Sequence, residues 1–251
     1  YLSLSYEGHT DMIRTMSIDK SGQFLCTGSD DGSIKIFEVN TARCLRTVEL
    51  GGVVRSVEFC PNSALTLILA ASDNRVVLIN SQLGDTLVNL KTDKVLKESA
   101  QSSMNEEAII ADKIKAVIEW KEPRDAAEKA AGLRIVLQHF KPVTQVTWHP
   151  KGDYFATVMP EGQNRSVLIS QLSRRRSQLP FQKSKGLIQC VLFHSTKPLL
   201  FVATQKYVRI YDLVKQSLVK KLDTKSRWIS NMALHPQGDD LLVATYDRKV
   251  H

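Results

Sequence analysis

The chain has 251 residues, 43% hydrophobic and 24% charged, with a net charge of +8. A chain of this length buries a sizeable core without disulfides or metals, and its ordinary apolar content with mixed charge excludes a mainly disordered state. Its longest apolar run, residues 64–71, falls well short of the roughly eighteen residues that a membrane span needs, and no charged-then-apolar N-terminal signal occurs.

Taken in chain order, the predicted elements repeat. Residues 13–18 alternate apolar and polar side chains and end on an apolar anchor, Ile18. A polar turn follows, then an apolar strand at 24–27, the turn Asp31-Gly32, a third strand at 34–39 and a more polar fourth at 43–48. The unit restarts at 54–59, anchored on Phe59, with strands at 65–70, 76–80 and 86–90 and a turn at Asp73-Asn74. After residue 90 the rhythm stops. Residues 91–132, rich in Lys, Glu, Asp and Ala, read as an insertion with a short helix within 123–132, Pro123 near its first turn and Gly132 ending it. Residues 133–139 read as the returning outer strand. The unit resumes at 143–148, 188–193 and 229–234, anchored on Trp148, Phe193 and Leu234. Second strands follow at 154–158, 199–203 and 241–245, third strands at 167–172 and 208–213, a fourth at 218–222, and a turn at Asp247-Arg248.

Successive anchors differ by 41, 89, 45 and 41 residues. Four short strands at this period, with period-2 alternation and turn punctuation, predict the blades of a β-propeller. The fold class is all-β, a β-propeller of about five blades over residues 1–251 with a charged, partly helical insertion at 91–132. Residue 251 falls inside the third strand of the fifth blade. A propeller closes on itself, so five incomplete blades are expected to belong to a longer chain and to fold poorly alone.

Gly8-His9 followed by Ser29-Asp30-Asp31-Gly32 and Phe37-Glu38 resembles a WD repeat. In such repeats a His, a Ser or Thr, an Asp and a Trp hydrogen-bond across one blade. His9, Thr27 or Ser29, and Asp31 match the first three, while Phe37 stands at the Trp position without an N–H to donate. His139 stands nine residues before Trp148, as His9 does before Ile18. Asp73 and Asp247 match the turn Asp, and Tyr211-Asp212 matches the Trp-Asp pair.

No chemistry of catalysis is legible. His149, His194 and His235 each follow a blade anchor, so they are spread around the ring rather than converging on a metal. His9, Ser29 and Asp31 imitate a nucleophilic triad but are explained by the blade network. No phosphate-binding Gly-rich loop, H-E-x-x-H or nucleophile elbow occurs. Met12 and Met16 lie on a strand and read as packing. The cysteines Cys26, Cys44, Cys60 and Cys190 form no C-x-x-C pair and read as buried thiols of a reducing compartment. Neither a cofactor nor a metal is expected.

Two surface features carry signal. Residues 162–211 contain nine basic residues and no acid, a local +9 against +8 for the chain. Arg174, Arg175, Arg176, Lys183 and Lys185 are its densest part. Guanidinium groups suit phosphate, so this arc is the candidate RNA contact, with Phe181 alone able to offer stacking. The second feature is the narrow face. If the blades wind as WD repeats do, Arg14, Arg55, Trp228 and Tyr246 point there and are candidates for protein docking.

The stretches 28–48, 141–149 and 167–181 are similar to the C-terminal propeller of the Bop family (block of proliferation; Erb, eukaryotic ribosome biogenesis protein, in yeast), and the likeness includes an insertion at the same place. The resemblance implies a seven-bladed WD-repeat β-propeller in a nonenzymatic nucleolar and nucleoplasmic scaffold for large-subunit (60S) assembly. It implies a trimer with pescadillo and a second WD-repeat protein on the pre-ribosomal particle, and support of pre-rRNA processing. The alternative is a substrate adaptor or a general interaction platform outside ribosome assembly. Neither reading involves a membrane or a small-molecule substrate.

Overall fold

The computed structural model of the protein describes residues 3–105, 112–181, 186–226 and 228–251. Its strands form successive antiparallel sheets in chain order. Blade 1 holds β1 (Ile13–Ile18), β2 (Phe24–Ser29), β3 (Ser33–Glu38) and β4 (Cys44–Glu49). Blade 2 holds β5 (Val54–Phe59), β6 (Leu67–Ser72) and β7 (Arg75–Asn80). The chain then leaves the sheet through α1 (Thr86–Asn105) and α2 (Asp112–Lys115), adds β8 (Ile118–Lys121), turns through α3 (Ala126–Ala130) and re-enters as β9 (Leu133–His139). The order β5-β6-β7-β9-β8 makes this blade five-stranded. Blade 3 holds β10 (Gln145–Trp148), β11 (Tyr154–Val158), β12 (Val167–Gln171) and β13 (Arg176–Gln178). Blade 4 holds β14 (Ile188–Phe193), β15 (Leu199–Thr204), β16 (Tyr207–Asp212) and β17 (Ser217–Asp223). Blade 5 holds β18 (Ile229–Leu234) and β19 (Leu241–Thr245), and a bridge from Ala244 to Val250 begins its third strand. Among the described residues no helix is long and apolar enough to cross a membrane.

The core sits in four seams between five blades. Strand β6, Leu-Ile-Leu-Ala-Ala-Ser, is buried along its whole length because alternate residues serve two seams. Leu67, Leu69 and Ala71 pack with Val146, Trp148 and Phe155 of blade 3. Ile68 and Ala70 pack with Cys26, Ile34 and Ile36 of blade 1. A strand covered on both faces reads as a continuous apolar run, which is why no alternation shows there. The blade 1–2 seam is close enough that a Cβ at Gly28 would fall 2.5 Å from Val54 Cγ1.

The innermost strands also share hydrogen bonds. In blades 1 to 3 the residue three before the anchor reaches the next blade. Thr15 Oγ1 accepts from Val57 N–H, Ser56 Oγ from Val146 N–H, and Gln145 Oε1 from Val191 N–H. These bonds fix how far each blade can slide against its neighbour.

The helical insertion departs from the sequence expectation. Residues 86–90, expected as a strand, are the first turns of α1. Asp85 starts the helix by accepting from Leu87 N–H at 2.8 Å, the bond an N-cap carboxylate makes. Buried Asn80 holds the helix down, donating to the Asn89 carbonyl and to Asp93. Strand β8, inside 91–132, was also not expected. Helix α3 lies where 123–132 read as helical, capped by Asp125, which accepts from Glu128 N–H. Gly132 follows with φ +103°, a conformation that suits glycine.

Candidate functional site

In blade 1 the His9 ring sits between Asp31 Oδ2 and Thr27 Oγ1, 2.8 Å from each. Thr27, not Ser29, is therefore the hydroxyl partner. Ser29 Oγ instead donates to the Asp11 carbonyl and accepts from Asp31 N–H. Burial alone would push the Asp31 carboxyl up, but hydrogen bonds from Ser33, His9 and the backbone hold it well below the usual range. Phe37 is buried and meets Tyr6 edge-on in place of a donating Trp. His139 keeps half of this network. Its ring bonds Thr157 at 3.1 Å, and burial lowers its pKa to about 4. The turn that would bring an Asp is occupied by a 3-10 segment, Pro160–Arg165. Asp247 accepts from Thr245. Asp73 holds the second-blade turn at φ +51°, with its carboxylate against Gly52.

The three histidines that follow blade anchors each cap a turn. His149 accepts from Lys151 N–H, His194 from Thr196 and Lys197 N–H, and His235 from Gln237 N–H. All four thiols are free, and Cys44 is exposed, against the expectation that all are buried. Met16 is 73% exposed and Met12 is also exposed, so neither packs as expected.

The narrow-face positions follow a shared backbone device. Each inner strand except β10 carries a bulge four residues before its anchor, at Arg14, Arg55, Gln189 and Ser230. A bulge re-aims the side chain it carries. Arg14 grips Asp30 through Nε and Nη2 at 2.5–2.9 Å, and both stand exposed enough for water to screen the pair. Arg55 is exposed nearby and adds to the lowering of the Asp30 pKa that the Arg14 hydrogen bond dominates. Trp228 and Tyr246 are 43% and 71% exposed, joined by Tyr246 N–H donating to the Trp228 carbonyl. The four residues thus fall into two pairs, one on blades 1 and 2 and one on blade 5.

The basic arc is divided as well. Arg174 and Arg176 are exposed and, with Tyr154, line a shallow cleft of about 230 Å³ on the outer edge of blade 3. Arg175 does not join them, which corrects the expectation that all three form one phosphate surface. Its side chain is 11% exposed, paired with Glu122 at 2.8 Å and donating to Ser99 Oγ and the Leu96 carbonyl. The positive φ of Arg175 turns it towards the insertion while its neighbours face out. Phe181 cannot stack on a base, because it is buried against Tyr211 with ring centroids 4.5 Å apart. Lys183 and Lys185 lie outside the described residues. The arc is free of acids in sequence only, since Asp153 accepts from Ser173 beside Arg174.

What sequence reasoning missed is the insertion's hold on blade 3. Trp120 on β8 packs on Phe155 and donates to Ser177 Oγ at 3.1 Å. The only signal was a Trp isolated within a charged, low-periodicity stretch.

Comparison with known proteins fits this architecture. The family "WD domain, G-beta repeat" matches residues 2–38 and 133–169, the segments that carry His9 and His139. The chain is 59% identical over 248 residues to "Ribosome biogenesis protein BOP1 homolog" of Aedes aegypti, covering 99% of this chain and 28% of that protein. The protein of the same name from Culex quinquefasciatus is 58% identical over the same share of both chains. That of Drosophila ananassae is 56% identical, with 31% of its length covered. The chain thus spans less than a third of the length of these curated relatives. With identity above one half along nearly all of its residues, and with its own WD-repeat matches, the chain belongs to the Bop family as a WD-repeat segment of it.

Proposed function

We propose that this chain is the docking propeller of a nonenzymatic scaffold in ribosome biogenesis, acting in large-subunit (60S) assembly and pre-rRNA processing. The observation that carries this reading is the identity to relatives named as ribosome biogenesis proteins along 99% of the chain. In this reading residues 1–251 are a partial propeller with 91–132 inserted. The scaffold works with a pescadillo-type protein and a second WD-repeat protein on the pre-ribosomal particle, in the nucleolus and nucleoplasm. Arg174 and Arg176 contact pre-rRNA phosphates, and Arg175 supports them by fixing their turn to the insertion. The pairs Arg14/Arg55 and Trp228/Tyr246 are protein-docking points, because aromatic and Arg side chains exposed at a face are the residues that dominate interface energetics.

RNA binding by the full-length protein at several salt concentrations tests the phosphate role. Each phosphate contact adds roughly 0.7–0.9 to the slope of log affinity against log salt. Arg174→Glu with Arg176→Glu is expected to weaken binding and flatten that slope by about 1.5. An unchanged slope removes RNA from blade 3 and leaves a platform for proteins alone, with Trp228→Ala the next variant to test.

A further inference from the structure

The insertion and the blades border an open cavity of about 450 Å³ that the blade network does not use and that Arg175 lines at one wall. Its lining is mostly apolar, from Leu96, Pro123, Ala130 and Leu133, and Lys97 and Lys129 are exposed at its rim. The volume lies in the range that takes one bulky group of a ligand. Two acids also line it, but each is already matched to an arginine, Asp93 with Arg134 and Glu122 with Arg175. The charge left over is therefore positive.

The walls are fixed before anything binds. Arg134 ties β9 to α1, Arg75 ties β7 to α3 through Glu128 at 2.9 Å, and Arg175 reaches across from blade 3 to the carbonyl of Leu96. A site whose walls are held by such bonds costs little ordering when it is filled. An exposed apolar side chain also lies on α1 beyond the cavity. Leu90 stands three residues before Asp93 and seven before Lys97, hence on the same side of α1, and is 63% exposed.

We propose that this cavity is a docking site for an acidic, apolar peptide segment of a partner protein. One large apolar side chain fills the cavity, flanking carboxylates meet Lys97 and Lys129, and the segment runs on over Leu90. The extension along α1 favours a peptide over a small amphiphile, which would leave Leu90 uncovered. Arg175 lines this cavity and fixes the turn of Arg174 and Arg176, but those two line a separate cleft.

Fluorescence anisotropy on the full-length protein tests this with a labelled peptide Asp-Glu-Leu-Phe-Asp-Glu and its charge-reversed form Lys-Lys-Leu-Phe-Lys-Lys. The acidic peptide is expected to bind at least about tenfold more tightly, a difference of about 1.4 kcal/mol. Ala130→Trp, which fills the cavity mouth, and the pair Lys97→Glu with Lys129→Glu are each expected to weaken it by about tenfold or more. All three positions are exposed, so unchanged thermal melting of these variants shows that loss of binding is not loss of folding. Equal affinity for both peptides, indifference to the variants, or absence of binding overturns the proposal. Capture of decanoate at the cavity without capture of the peptide overturns it too, in favour of a small amphiphile.

Discussion

A half-buried carboxyl ties the stability of the blade 2–3 seam to pH. Glu58 of β5 faces β10, where its carboxylate accepts from Trp148 N–H at 3.2 Å. Burial pushes its pKa up from the ordinary 4.5 to about 7, against the opposing hydrogen bonds from Thr147 and Trp148. Below pH 4.5 the group is protonated folded or unfolded, and it contributes no pH dependence. Between 4.5 and 7 the unfolded chain ionises first, so stability falls as pH rises and levels off above 7. The difference amounts to roughly 3 kcal/mol. His139 has the opposite slope, because burial lowers its pKa from 6.5 to about 4 and its stability is lost as pH falls through that window. The Glu58 contribution is therefore read by difference. Glu58→Gln keeps an acceptor for Trp148 N–H and is expected to gain on the wild type progressively from pH 4.5 to 7 in urea unfolding. Parallel curves for the two proteins would show that Glu58 does not titrate in this range.

At the scale of elements, the insertion is a strap across blades 1 to 3. Arg46 of β4 donates to the carbonyls of Ser81 and Ala131, Arg75 holds α3, and Trp120 and Arg175 join β8 and α1 to blade 3. Trp120→Ala removes ring packing on Phe155 and is expected to cost on the order of 2–3 kcal/mol. Arg175→Ala, which leaves Glu122 unpaired at the surface, is expected to cost about 1–2 kcal/mol. Both variants are expected to speed limited proteolysis within 86–132, and cleavage at the wild-type rate would show that the strap holds without them. The blades themselves were legible, because each repeats an alternating strand, an anchor and a turn, and β1, β5 and β14 occupy the residues expected. The insertion was legible only as an interruption. Its helix begins with Gly84-Asp85, a turn and a cap that also suit a hairpin. What buries it, Asn80, Arg134 and Arg175, is distant in sequence. The same distance hid the division of the three arginines. Nothing local marks Arg175 apart from its neighbours, and only the positive φ of the turn and the partners from α1 decide which guanidinium is spent on structure.

Within residues 1–251 one seam repeats four times, and the outward sides of the first and last of these blades expose apolar side chains. On β1, Ile13, Met16 and Ile18 are exposed where their counterparts Val54, Val57 and Phe59 on β5 are buried or half-buried. At the other end Leu242 and Val250 are exposed. Asn231, in the position from which Thr15, Ser56 and Gln145 reach the next blade, turns its Oδ1 back to the Met232 N–H instead. Exposed apolar faces of this kind drive association. The two faces differ, so a contact between them is head-to-tail and does not close at two copies. Residues 1–251 on their own are therefore expected to grow in mass continuously with concentration in light scattering, rather than to stop at a dimer. Met16→Lys with Ile18→Lys places charge on one of the two faces without entering a seam, and is expected to suppress that growth while leaving the four internal seams intact. A monomer with one sharp thermal transition over roughly a hundredfold range of concentration would show instead that the two outer faces carry no drive to associate.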